Sequence, residues 1–128
     1  MRKEIENWWE QAKKDLEVAG KNYVGADYYI ACFLCQQAVE KGLKALFILK
    51  KGKSPGQTHS LIFLAKEIPV PREFYDLLQS LTPEFIITRY PDVAGDAPFK
   101  LYSEEKTKQY LDKARRLLQW IEVQIKKQ

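Results

Sequence analysis

The stretch YYIACFLCQQAVEKGLKALFILKK, Tyr28 to Lys51, is the longest helix-compatible run in the chain, and its reading decides the fold. It contains no proline, and its one interior glycine, Gly42, falls in register with Ala31, Cys35, Ala38 and Ala45. On a helix that spacing gathers small side chains on a single face, which a second helix can approach closely. The first turns, Tyr28 to Cys35, are apolar nearly all the way round, as in a helix covered on several sides. This is therefore expected to be the central helix. Further along, Gln37, Glu40, Lys41 and Lys44 make a polar strip on an otherwise apolar element. Two readings are open: a solvated face, the usual place for charged residues, or the lining of a groove that holds an anion or a partner.

Working outward, Ile5, Trp8, Ala12, Leu16, Ala19 and Tyr23 recur at helical spacing, which predicts an amphipathic first helix. Glu4, Glu6 and Glu10 near its start and Lys13 and Lys14 later run with the helix dipole. Gly20 and Gly25 are expected to loosen the chain after it. Trp8 and Trp9 project about 100° apart, so one can serve the core while the other reaches the flank. Beyond the central helix, Lys50, Lys51 and Gly52 form a C-terminal cap and Pro55-Gly56 a turn. Thr58 can cap a third helix from His59 to Lys66, which Pro69 and Pro71 stop. A fourth helix is expected to start at Pro71 and run through Leu81, and Thr82-Pro83-Glu84 opens a short segment ending near Arg89. Tyr90 to Lys100 reads as an ordered loop. Ser103, with Glu104 and Glu105 behind it, starts a final helix whose inner side carries Tyr110, Leu111, Ala114, Leu117, Leu118, Ile121 and Ile125. No segment alternates as a strand does. The whole, residues 1–128, reads as one all-α domain, an up-and-down bundle of four to five helices.

The totals agree with one compact domain: 128 residues, 45% of them hydrophobic. A net charge of +4 permits anionic partners without specifying them. Cys32 and Cys35 lie three apart inside the central helix, away from any helix N-terminus that would lower a thiolate pKa, and so read as buried reduced residues. With these two thiols and a single histidine, the usual zinc ligand set cannot be assembled, so neither metal nor cofactor is expected. No apolar run approaches membrane-spanning length and no leader pattern is visible, so a cytoplasmic chain with no membrane partner is expected.

Several of these residues together resemble the HEPN domain family of prokaryotes and higher eukaryotes. The resemblance rests on the aromatic first helix with Ala12 and Asp15-Leu16, on Tyr29-Ile30-Ala31-Cys32-Phe33, and on Gln36 to Leu46, QQAVEKGLKAL. His59-Ser60-Leu61, Arg89-Tyr90-Pro91-Asp92 and the amphipathic last helix extend it over nearly the whole chain. It implies a helical bundle, usually a homodimer, often encoded beside a minimal nucleotidyltransferase. Members of the family are nucleotide-binding modules, toxin ribonucleases of toxin–antitoxin pairs, or non-catalytic partners. In the ribonuclease branch an arginine is followed four to six residues later by histidine, at a cleft in the dimer interface. This chain departs from that pattern, since Arg89 is followed by YPDVAG and the one histidine, His59, lies upstream.

The departure bears on chemistry, because metal-free RNA cleavage needs a proton-exchanging group beside a cation that stabilises the developing charge. Arg89 supplies a cation, and His59 is the side chain that exchanges a proton near neutral pH. The expected role is that of a nucleotide- or RNA-binding protein, acting as a homodimer and as partner of a minimal nucleotidyltransferase, in the setting of a prokaryotic toxin–antitoxin pair. The expected ligand residues are Gln37, Lys41, Lys44, Arg89, Tyr90 and Asp92. One alternative is a metal-free toxin ribonuclease with Arg89 at a dimer-interface cleft and His59 or Tyr102 as the proton group. The other is a non-catalytic dimer scaffold. Duller roles stand beside these: Arg89 can pair with Asp92 or with a helix C-terminus, and Asp92 can cap its own turn. Tyr28, Tyr29, Phe33, Phe47, Tyr75 and Phe85 read as core or dimer contacts rather than base-stacking platforms.

Overall fold

The computed structural model describes residues 2–127. Its helices are α1 (Lys3–Val24), α2 (Tyr28–Lys51), α3 (Leu61–Glu67), α4 (Tyr75–Leu81), α5 (Glu84–Ile87), α6 (Pro91–Ala94) and α7 (Glu104–Lys126), with 3-10 turns at Arg72–Phe74 and Pro98–Leu101. There is no strand among the described residues.

The small face of α2 does what its spacing predicts. Ala31, Cys35, Ala38, Gly42 and Ala45 are all buried. A Cβ placed on Gly42 would lie 3.2 Å from Ile121 Cδ1 and 3.6 Å from Trp9 Cζ3, so α7 and α1 close on the same point of α2. Cys32 meets Thr107 while Gly42 meets Ile121, so α7 runs in the same direction as α2. Tyr110 reaches Ser80 and Arg116 reaches Glu73, so α4 runs against α7. The long axis therefore goes up in α1, down in α2, up in α4 and down in α7, and α3 is a short extra helix between α2 and α4. Leu43, Leu46, Leu64, Leu78, Leu117 and Ile121 fill the space between these legs.

Several boundaries differ from expectation. α1 continues through Gly20 to Val24, and the chain turns only at Gly25 and at Ala26, whose φ is 64°. Gly20 permits a close pass, with Arg115 Nη2 3.0 Å from where a Cβ would sit. In α1 the buried aromatic is Trp9, with Trp8 half-buried, and Asp15 is buried where Leu16 is only half so. Ser60 rather than Thr58 caps α3, its side chain accepting from the Phe63 N–H at 3.2 Å. Pro71 opens a 3-10 turn, and α4 begins at Tyr75. Tyr90 to Lys100, expected as a loop, contains α6, which has Pro91 in its first turn and the left-handed Gly95, φ 80°, at its end.

Candidate functional site

The polar strip of α2 is mostly turned inward, and Lys41 lines an open groove, a shallow one shared with Glu4, Asn7, Trp8 and Gln11. Glu40 is 4% exposed and Lys44 7% exposed, and Gln36 beside them is fully buried. Lys44 Nζ donates to Glu40 Oε2 at 3.1 Å, Gln36 Nε2 donates to Glu40 Oε1 at 2.9 Å, and Gln37 Nε2 donates to Gln36 Oε1 at 2.7 Å. Lys44 also lies 5.3 Å above the Trp8 ring. Lys41 turns the other way and meets the buried Asp15 at 2.6 Å, with Gln11 on the second Asp15 oxygen at 2.9 Å. Burial of these charges is tolerated because each has an opposite partner and further hydrogen bonds. Lys44 is thus engaged internally, whereas Lys41 is tied to Asp15 and still borders the groove beside Trp8.

One member of the strip does reach the surface indirectly. His59 Nδ1 lies 2.9 Å from Glu40 Oε1, and the imidazole stacks on the Phe85 ring at 4.2 Å between centroids. Phe85 belongs to α5, and its carbonyl accepts a hydrogen bond from Arg89 Nε at 2.5 Å. The structure therefore hangs His59 and Arg89 on the same residue from two directions.

Arg89 follows α5 and its guanidinium Cζ lies 5.3 Å from the rings of both Phe33 and Tyr90. It donates to the end of a helix, one of its two expected duller roles, and not to Asp92. Among the described residues Asp92 makes neither an ion pair nor an Asx bond; it sits exposed in the first turn of α6. Around Arg89 opens a groove of about 390 Å³ lined by Tyr29, Ile30, Phe33, Thr88, Pro98 and Phe99. Phe99, 62% exposed, stands at its rim, and Tyr90, Val93 and Leu101 are exposed apolar neighbours along the chain. A cation held over aromatic faces in an apolar groove suits a ligand with a phosphate and a planar base.

Tyr102 is placed elsewhere. Only 6% exposed, it donates to Glu84 Oε1 at 3.0 Å inside the bundle, and burial together with Glu84 holds its hydroxyl well above the ordinary tyrosine range. It is no proton group for a ligand at Arg89. Glu84 itself is buried with Oε2 unpartnered, and desolvation raises its carboxyl pKa. Thr88 Oγ1 donates to the Glu84 carbonyl. Glu84 and Thr88 thus seat the inner side of α5 while Arg89 and Phe85 face the outside. Cys32 and Cys35 are buried free thiols, and burial pushes Cys32 up to about 11 and Cys35 higher. No cluster of three or more His, Cys, Asp or Glu side chains able to hold a metal occurs among the described residues, and no helix there is long and apolar enough to cross a membrane.

Of the six expected ligand residues, Arg89 lines the groove with the Tyr90 ring against its guanidinium, Asp92 lies a few residues along an exposed helix, Gln37 and Lys44 belong to the buried Glu40 network, and Lys41 is paired with Asp15. The partners Phe33, Phe99 and Thr88 were not among the expected residues. Phe33 and Phe99 come from segments 66 positions apart in the chain, and nothing in local spacing brings them together.

This all-helical bundle with an arginine-centred groove has relatives of known family. The chain belongs to the HEPN domain family, whose model matches residues 5–124. Among solved structures it is similar to TT1696 from Thermus thermophilus, at 32% identity and a TM-score of 0.86 over 96% of this chain and 99% of that one. It is also similar to ST0689, described as an archaeal HEPN homologue, at 33% identity and a TM-score of 0.82 over 97% of this chain and 99% of that one. No curated protein matches it.

Proposed function

We propose that this HEPN protein binds a nucleotide or RNA at the Arg89 groove, and that it acts as a homodimer and as the partner of a minimal nucleotidyltransferase in a toxin–antitoxin pair. The observation that carries the binding role is Arg89 itself, a cation set over Phe33 and Tyr90 at the mouth of an apolar groove, with no carboxylate paired to it among the described residues. Dimerisation is supported by the exposed apolar residues Tyr90, Val93, Phe99 and Leu101 beside that groove, which a second copy would cover. Family membership supports the partner enzyme.

The test is fluorescence anisotropy of a short labelled RNA in chelator, with ATP as competitor. Arg89→Ala should weaken binding by about tenfold or more, the worth of a charge-assisted phosphate contact, while the thermal melt stays unchanged. Equal affinity in the variant would remove the groove from consideration.

One observation favours a second reading. His59 and Arg89 both contact Phe85, one at its ring and the other at its carbonyl, which links the two groups that a metal-free ribonuclease of this chain would use. That reading predicts RNA fragments in chelator from wild type and none from Arg89→Ala.

A further inference from the structure

Glu40 carries more hydrogen bonds than a helix-stabilising ion pair needs. Its carboxylate takes Lys44 on one oxygen and both Gln36 and His59 on the other, while buried in the middle of α2. Paired with a buried lysine, it is ionised and can only accept. Nδ1 of His59 must therefore be the donor, and the hydrogen bond made by one ring nitrogen decides the state of the other. Nε2 is left as the nitrogen with a free edge, and it makes no hydrogen bond among the described residues. The imidazole is half exposed, its face is fixed by Phe85, and its Nδ1 edge is fixed by Glu40. A histidine that only filled space beside the α3 cap would not need a buried carboxylate that is itself held by two other side chains.

We propose that Glu40 is a positioning residue, which locks His59 in the Nδ1–H tautomer so that Nε2 meets a phosphate of a nucleotide or RNA that extends from the Arg89 groove past Phe85. This rests on the reading of the Arg89 groove as a phosphate-binding site. When charged, Nε2–H donates to a phosphate oxygen; when neutral, it offers only a lone pair, and the contact is lost. The charged groups around the ring are Glu40 in direct contact, Lys44 beyond it on the same carboxylate, and Arg89 across Phe85; Glu84, also on α5, points inward to Tyr102. A protonated ring should thus bind more tightly than a neutral one.

His59 is the only histidine, so long-range proton–nitrogen NMR spectra of the full chain contain one imidazole. Wild type should show Nδ1 protonated and Nε2 bare at about pH 8, and Glu40→Gln should mix the two tautomers. Should Glu40→Gln lose its fold, the double variant Glu40→Gln with Lys44→Met removes both buried charges and leaves neither uncompensated. A short labelled RNA and, in a separate arm, ATP report the phosphate contact and distinguish polymer from free nucleotide. Wild type should bind about tenfold tighter at pH 5.5 than at pH 8, with the Nε2 resonance moving on titration, and the Glu40 variants should lose most of that pH dependence. An Nε2–H tautomer in wild type, or a Glu40 variant that keeps both tautomer and pH profile, overturns the positioning role. Binding that ignores pH and leaves Nε2 unmoved overturns the phosphate contact. No binding by wild type in either arm overturns that contact and the proposed function together, while the tautomer, read without ligand, still tests the hold of Glu40 on the ring separately.

Discussion

Glu84 shows how a single buried group sets a pH dependence. Its folded-state pKa lies above the ordinary 4.5, chiefly through desolvation. Below that ordinary value both folded and unfolded states hold the proton; as pH rises past it the unfolded chain releases the proton first, so stability falls until the folded group also ionises. Glu84→Gln should flatten this slope, because the amide has no proton to release over this range; urea melts at low and high pH check it. Loss of stability at every pH would show instead that the carboxylate is needed by Tyr102. The thiols give a second residue-scale prediction. With Cys32 near 11 and Cys35 higher, neither should react with a disulfide reagent at pH 8 until denaturant is added. Their burial was readable from an apolar helical setting. The burial of Asp15, Glu40 and Lys44 was not, because a charged residue looks solvated until its partner is known, and Asp15 stands 26 positions from Lys41.

Helix periodicity carried most of the architecture at the scale of elements. The small face of α2 was visible as five residues in register, and its consequence is the approach of Ile121 and Trp9 to Gly42. Gly42→Ala should change stability by less than about 1 kcal/mol, since a helix-propensity gain offsets a contact that the flexible end of Ile121 can relieve. Gly42→Leu should cost about 3 kcal/mol by overpacking the junction of three helices; thermal melts of the two variants separate the effects. A tolerated leucine would mean that the helices are not in such close contact. Short elements were harder to read. Thr58 and Ser60 are equally good caps in sequence, and only the hydrogen bond to Phe63 chooses between them. α6 was hidden because its proline start and glycine stop are only four residues apart, which in sequence is also the pattern of a turn.

For the molecule as a whole, the fold was within reach of the sequence because long helices repeat their pattern many times, whereas the site is assembled from single residues distant in the chain. Glu40 and His59 are 19 positions apart, Phe33 and Phe99 belong to α2 and a 3-10 turn, and no periodicity relates them. The exposed apolar residues beside Arg89 make their own prediction: Val93→Asp with Phe99→Glu should convert a dimer to a monomer in sedimentation analysis without lowering the melt. An unchanged sedimentation coefficient would place any self-association elsewhere. The rival surface for nucleic acid is the basic side of α7, where Lys108 and Arg115 pair with Asp112, Arg116 with Glu73 and Lys126 with Glu122, exposed pairs that offset only part of its positive charge. Chemical-shift mapping of the full chain with a short single-stranded RNA decides between the two. The Arg89 groove predicts shifts concentrated at Tyr29, Phe33, Arg89, Tyr90 and Phe99; shifts concentrated instead along Lys108, Lys113 and Arg116 would contradict it.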